Sequence, residues 1–151
     1  MMRLFISLLI PVLTGLIGSV FTTSALSTWY AGLNKPLFTP PNWAFAPIWL
    51  TLYSLMGVAL YINWREKTDQ AKFNVQLFFV HLLLNFLWTP VFFGAKDIFL
   101  ALEIIIALWA IIVVMIDNFW NVNRTSALIL FPYLLWVTYA AFLNYFIWRL
   151  N

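Results

Sequence analysis

His81, Asn85, Trp88 and Phe92 recur at helical spacing, so an imidazole, an amide and two aromatic rings share one helix face. Pro132, Trp136, Tyr139, Ala140 and Leu143 form a second such face, where Ala140 lies one turn from Trp136 and leaves space beside it. A third carries Trp49, Tyr53 and Met56. Three aromatic faces with few polar groups among them suit a cavity for a flat, largely apolar ligand. Asn85 lies within apolar sequence, so it must find a hydrogen-bond partner or face a wet cavity. His81 could ligate haem iron, but no second His, Met or Cys is placed to share the metal. The expected role is therefore a hydrogen bond within the fold, and no metal site is expected. The sequence contains no paired carboxylates, no Ser/His/Asp set and no phosphate-cradling glycine loop, which sets aside hydrolytic and phosphoryl-transfer chemistry.

The elements that must hold these faces are membrane spans. Hydrophobic residues make up 64% of the 151 positions and charged residues 9%, which water cannot solvate as a surface. A helix needs about 20 apolar residues to cross the hydrocarbon core, so five spans with short connections use nearly the whole chain. Apolar runs between charges and turns give helices over roughly 4–26, 46–64, 73–93, 98–120 and 125–148, in one domain covering 1–151. The first run follows Arg3 as a signal peptide would, but it continues to Leu26, long enough to span, and is expected to stay. The fold class is an all-α integral membrane protein, a five-helix bundle with a Pro/Trp-rich loop between helices 1 and 2. Arg3, Arg65, Lys67, Lys72 and Arg124 fall on one side of the membrane, and Lys35, Lys96 and Arg149 on the other. That bias puts the N-terminus in the cytoplasm and the first loop and C-terminus outside. The net charge of +3 is scattered along the chain, so nucleic acid is not an expected partner. There is no cysteine, which removes disulfides and thiol chemistry.

Lipid does not drive helices together, so close packing needs small residues. The first helix has two rows of them, Thr14/Gly18/Thr22 and Gly15/Ser19/Thr23, and should be packed on two sides. The third has none before Thr89.

The stretch KPLFTPPNWAFAPIW, Lys35 to Trp49, holds four of the seven prolines and reads as stiff extended chain rather than helix. Its rings, with Trp29 and Tyr30, suit an interfacial aromatic belt. A belt needs no run of prolines, however, so the favoured reading is a preformed lid over a pocket inside the bundle, with Tyr30, Pro40, Trp43 and Pro47 against the ligand.

Three stretches, WYAGLNKPLFTPPNWAFAPIWLTLYSLMG (Trp29 to Gly57), LLNFLWTPVFFGAKD (Leu83 to Asp97) and PYLLWVTYAAFLNYFIWR (Pro132 to Arg149), resemble in order the signatures of the tryptophan-rich sensory protein (TspO) family, which includes the mitochondrial translocator protein. The resemblance covers nearly the whole chain, and its KPxxxPPxW…PxW segment is specific. It implies a five-helix bundle, a homodimer in a bacterial cell membrane, and a pocket under the first loop. That pocket binds protoporphyrin IX, haem-related tetrapyrroles and benzodiazepine-site ligands, with sterols prominent for the eukaryotic members. No cofactor is required. Carried over by residue, the pocket tryptophans fall on Trp49 and Trp136, the third-helix amide and indole on Asn85 and Trp88, and the small position that tunes sterol and drug binding on Ala140. Bacterial members are also associated with light- and oxygen-dependent porphyrin breakdown, in which the paired tryptophans would take the redox role. The full ligand set expected is Tyr30, Pro40, Trp43, Pro47, Trp49, Tyr53, Asn85, Trp88, Phe92, Trp136, Ala140 and Leu143.

The chain departs from the family pattern in places. Phe38-Thr39 precedes the double proline where many members have tryptophan, which keeps a ring and loses an indole N–H. The third-helix interface built on small residues in some members is missing, so the dimer contact does not transfer. Leu143, Tyr145 and Arg149 fit a sterol-recognition pattern that arises readily in any aromatic helix ending in arginine. Glu103, within the fourth helix, is expected to bond another helix, because a lone carboxylate in lipid is costly. The function expected is a tetrapyrrole receptor that could degrade its ligand slowly. A passive transporter of the same ligands is the alternative, and a scaffold that assembles through the small-residue rows leaves the proline loop unexplained.

Overall fold

The computed structural model describes residues 2–151, and the regular structure among them is helical. Helix α1 runs Met2–Leu26, and the one-turn α2 spans Trp29–Gly32. Then follow α3 at Asn42–Arg65, α4 at Asp69–Thr89, α5 at Ile98–Trp120, α6 at Arg124–Leu128 and α7 at Phe131–Leu150. A π-helical turn, Pro90–Ala95, extends α4. Five stretches are long and apolar enough to cross a membrane, Met2–Leu26, Asn42–Arg65, Asp69–Ala95, Ile98–Trp120 and Arg124–Leu150. The protein is thus an integral, multi-pass bundle, with spans close to those expected from hydropathy.

The second and third spans both start earlier than expected, at Asn42 and Asp69 rather than at 46 and 73. Helix α3 starts at Asn42 behind Pro41, not at 46, so the end of the proline-rich stretch is helix and not extended chain. Only Pro47 falls inside it, near the N-terminus, where a missing N–H frees a single carbonyl. Elsewhere the ends follow capping chemistry. Thr68 accepts from the N–H of Ala71 at 3.1 Å, Asp97 from that of Leu100 at 2.9 Å, and Asn123 from that of Ser126 at 3.2 Å. Pro90 cannot donate to the turn before it, and there the α-helical register gives way to the π turn. The chain then reverses at Lys96, whose φ of 59° lies in the left-handed region.

Helix α5 occupies the core, with Ile105, Leu108, Ile112, Met115 and Phe119 all buried. Helix α1 is peripheral and is packed on two sides, as its two rows predict. On one side Gly57 of α3 meets its backbone, where an added Cβ would lie 2.7 Å from the Ser7 carbonyl oxygen and 2.8 Å from Leu8 Cα. On the other, Gly18 faces Thr89 at the end of α4, where an added Cβ would lie 3.5 Å from Thr89 Oγ1.

The end of the bundle that holds Arg3 and Arg65 is sealed by amides. The Asn63 side chain donates to Ser126 Oγ at 2.9 Å, Asn74 donates to Asn63 Oδ1 at 2.8 Å, and Gln70 donates to Asn118 Oδ1 at 2.9 Å. These bonds tie α3, α4, α5 and α6 together with their donors and acceptors matched.

Candidate functional site

At the opposite end the helices part around a cavity of about 300 Å³. Helix α3 turns Asn42, Phe45, Ala46, Trp49, Leu50 and Tyr53 toward it, one helical stripe. Helix α4 and its π turn supply Asn85, Trp88, Thr89, Phe92 and Phe93, and α7 supplies Trp136, Tyr139, Ala140, Leu143 and Asn144. The π turn adds a residue to its last turn and brings neighbouring Phe92 and Phe93 onto the same wall. Trp88 stacks on Phe92 at 4.9 Å and 18°, and Tyr30 of α2 closes the roof 6.2 Å from Phe92 and 5.6 Å from Phe93. Trp49 stacks on Tyr53 at 5.4 Å, while Phe45 meets Trp136 edge-on at 6.3 Å. No Lys, Arg, Asp or Glu lines this space.

Nine of the twelve residues expected around a ligand lie on this wall: Tyr30, Trp49, Tyr53, Asn85, Trp88, Phe92, Trp136, Ala140 and Leu143. Pro40, Trp43 and Pro47 do not. Because α3 already begins at Asn42, Trp43 and Pro47 lie one helical turn apart beside the lining stripe and not in it, and Trp43 is 76% exposed. Pro40 stays in the loop, away from the wall.

The loop is also not the lid expected from its prolines. It lies along α7, where the Tyr139 hydroxyl donates to the Phe38 carbonyl and the Phe38 ring packs 5.6 Å from Phe146. Asn34 and Asn151 exchange two bonds, at 3.0 and 2.9 Å. Lys35 Nζ donates to the carbonyls of Tyr30 at 2.7 Å and Leu33 at 2.9 Å, holding the end of α2. The roof is α2 and the loop is the strap that holds it.

Sequence reasoning missed the wall made by α1. Val12, Gly15, Leu16, Ser19, Thr22, Thr23 and Leu26 line the cavity. The Gly15/Ser19/Thr23 row leaves room there as well as letting Gly15 meet Tyr53. Leu16 is 59% and Leu50 57% exposed, so the cavity opens between α1 and α3 on the lipid-facing surface.

The polar atoms form one ordered chain. Tyr53 Oη donates to Asn85 Oδ1 at 3.0 Å, and Asn85 Nδ2 donates to Tyr133 Oη at 2.9 Å. Tyr133 Oη lies 2.9 Å from His81 Nε2, and His81 Nδ1 lies 3.1 Å from the Phe78 carbonyl. Asn85 therefore both faces the cavity and finds partners. His81 has both ring nitrogens engaged and lies behind the wall, which leaves it no free position toward a metal. Trp88 donates its indole N–H to Asn144 Oδ1 at 3.0 Å, whereas the Trp136 indole N–H is buried with no acceptor among the described residues. Glu103 lies on the exposed surface of the second turn of α5 and does not reach another helix as expected; the turn it occupies presents that side to lipid.

Comparison with known proteins follows the same outline. A family model described as TspO/MBR matches residues 7–149. A tryptophan-rich protein TspO from Archaeoglobus fulgidus is 41% identical over 150 residues, covering 99% of this chain and 97% of the relative. The translocator protein of Homo sapiens is 37% identical over 146 residues, covering 95% and 86%, and a tryptophan-rich sensory protein from Cereibacter sphaeroides is 36% identical over 138 residues, covering 89% and 85%.

Proposed function

The chain belongs to the TspO/MBR family, and from that premise we propose that its cavity is a receptor site for tetrapyrroles such as protoporphyrin IX and for the flat synthetic ligands of the benzodiazepine site. The observation that carries this reading is the composition of the wall: Trp49, Trp88, Trp136, Phe45, Phe92, Phe93 and Tyr53 surround one uncharged space. Such rings stack on a planar π-system, and a cavity already open costs little ordering on binding. The orphaned Trp136 N–H adds a donor that a ligand carbonyl or ring nitrogen would satisfy. At about 300 Å³ the space is at the small end of ligand sites, so a macrocycle would keep one edge in the opening between α1 and α3. Trp49 and Trp136 are the proposed one-electron donors in slow, light- and oxygen-dependent loss of the bound porphyrin. Assembly as a homodimer belongs to the same reading.

A carrier role is the second reading, favoured by the exposed Leu16 and Leu50 at the cavity edge, which allow exchange with the bilayer. One titration tests binding and light-dependent breakdown together. Protoporphyrin IX added to the purified protein in the dark should quench tryptophan fluorescence saturably. Illumination should then bleach the bound porphyrin in the wild type and not in Trp49→Phe/Trp136→Phe. Binding without tryptophan-dependent bleaching leaves a receptor or carrier, and absence of saturable quenching removes the tetrapyrrole reading.

A further inference from the structure

Tyr133 and His81 are both 0% exposed, and neither touches the cavity. Their hydrogen bond has one direction. The Phe78 carbonyl can only accept, so His81 Nδ1 carries the proton and Nε2 presents its lone pair to Tyr133. An imidazolium would instead be a charge sealed in the bundle core with no carboxylate beside it. Tyr133 is thus a phenol hydrogen-bonded at 2.9 Å to a free base, and its oxygen also accepts from Asn85. Its ring stands edge-on 6.4 Å from that of Trp49.

We propose that Tyr133 and His81 are a proton-coupled electron relay that refills Trp49, an inference that rests on the reading of Trp49 as electron donor to a light-excited tetrapyrrole. The excited macrocycle takes one electron from Trp49 and passes it to dioxygen, leaving an indole radical cation. Tyr133 then gives one electron to Trp49 while its hydroxyl proton moves to His81 Nε2. Trp49 is restored, Tyr133 becomes a neutral phenoxyl radical, and His81 carries the proton together with the positive charge that leaves Trp49, so the bundle gains no net charge. A phenol parts with an electron readily only when its proton leaves too, and in a dry core the base must already be in place. The Asn85 N–H stays bonded to the phenoxyl oxygen.

Tyr53 is the control that the molecule itself provides. It stacks closer to Trp49, at 5.4 Å, but its hydroxyl faces the Asn85 amide oxygen, which does not take up a proton. Tyr139 likewise donates to a carbonyl. Ring distance favours Tyr53 and proton acceptance favours Tyr133, and the second requirement decides. The relay is a positioning device acting through Trp49.

The test is ultraviolet flash photolysis of the ligand-free protein in lipid nanodiscs, which makes indole radicals without any porphyrin. In the wild type, indole-radical decay should be matched by growth of phenoxyl absorbance. Tyr133→Phe should remove that growth down to the background of the other tyrosines, Trp49→Phe should do the same, and Tyr53→Phe should keep it. His81→Gln, which retains a hydrogen-bond acceptor but no base, should slow the growth with Tyr133 in place and serves if Tyr133→Phe does not fold. Growth unchanged in both Tyr133→Phe and His81→Gln, or lost in Tyr53→Phe, overturns the relay. Failure of the tetrapyrrole reading shows separately, as absent porphyrin quenching.

Discussion

Tyr53 of α3 rests directly on the backbone of Gly15 in α1: a Cβ built on that glycine would lie 2.1 Å from Tyr53 Cε2. The contact sets the cavity floor, since the same tyrosine bonds Asn85 through its hydroxyl. Toward the Arg3 end the helices close on Gly57, and toward the roof they part.

Gly15→Ala should therefore push the Tyr53 ring off its position and break its bond to Asn85. The expected cost is about 1–3 kcal/mol of stability with weaker ligand binding, read by thermal melting and porphyrin titration. Gly32→Ala, with nothing within 4 Å of the added carbon, is the neutral comparison.

Gly57→Ala meets the backbone of α1, which cannot rotate aside as a ring can. It should destabilise by at least as much, about 3 kcal/mol or more, while the cavity lining stays chemically unchanged. Equal melting temperatures for Gly57→Ala and the wild type would contradict the packing of α1 on α3.

Ala140→Leu fills space beside Trp136 without adding a polar atom. Ligand affinity should fall about tenfold or more, roughly the 1–3 kcal/mol of an overpacking penalty, with the melting temperature nearly kept. Unchanged affinity would take α7 out of the site.

Tyr139→Phe removes the bond to the Phe38 carbonyl and leaves the ring. The loop should open more often by about 0.5–1.5 kcal/mol, seen as faster amide exchange between residues 34 and 41. Exchange unchanged from wild type would mean that the Asn34–Asn151 clasp holds the loop alone.

Tyr30 lies outside the spans, and burial, with Tyr139 nearby as the lesser cause, pushes its phenol from 10.0 up to about 12. The folded chain thus holds this proton when the unfolded chain has lost it. Stability from this group is complete below pH 10 and falls as pH rises toward about 12. Thermal melting against pH should show the loss in that window, and Tyr30→Phe should flatten it.

The fold was legible because hydropathy and turn residues mark spans almost residue by residue. The start of α3 was not, because proline density reads the same whether the prolines bracket a helix or break it. Stripes on α4 and α7 were legible through ring periodicity. The α1 wall escaped because Gly15, Ser19 and Thr23 look alike whether they touch a neighbouring backbone or bound a void. The seal of Asn63, Asn74, Asn118 and Ser126 had no sequence signal, since their pairing depends on helices far apart in the chain.

The opening between α1 and α3 has a thermodynamic consequence. A ligand entering there comes from the hydrocarbon, so the concentration that governs occupancy is its mole fraction in the bilayer. An affinity measured against total concentration is then a product of partition and binding. Of two ligands making identical contacts with Trp49 and Trp136, the one more soluble in lipid will fill the site faster, and added empty vesicles will draw either of them away.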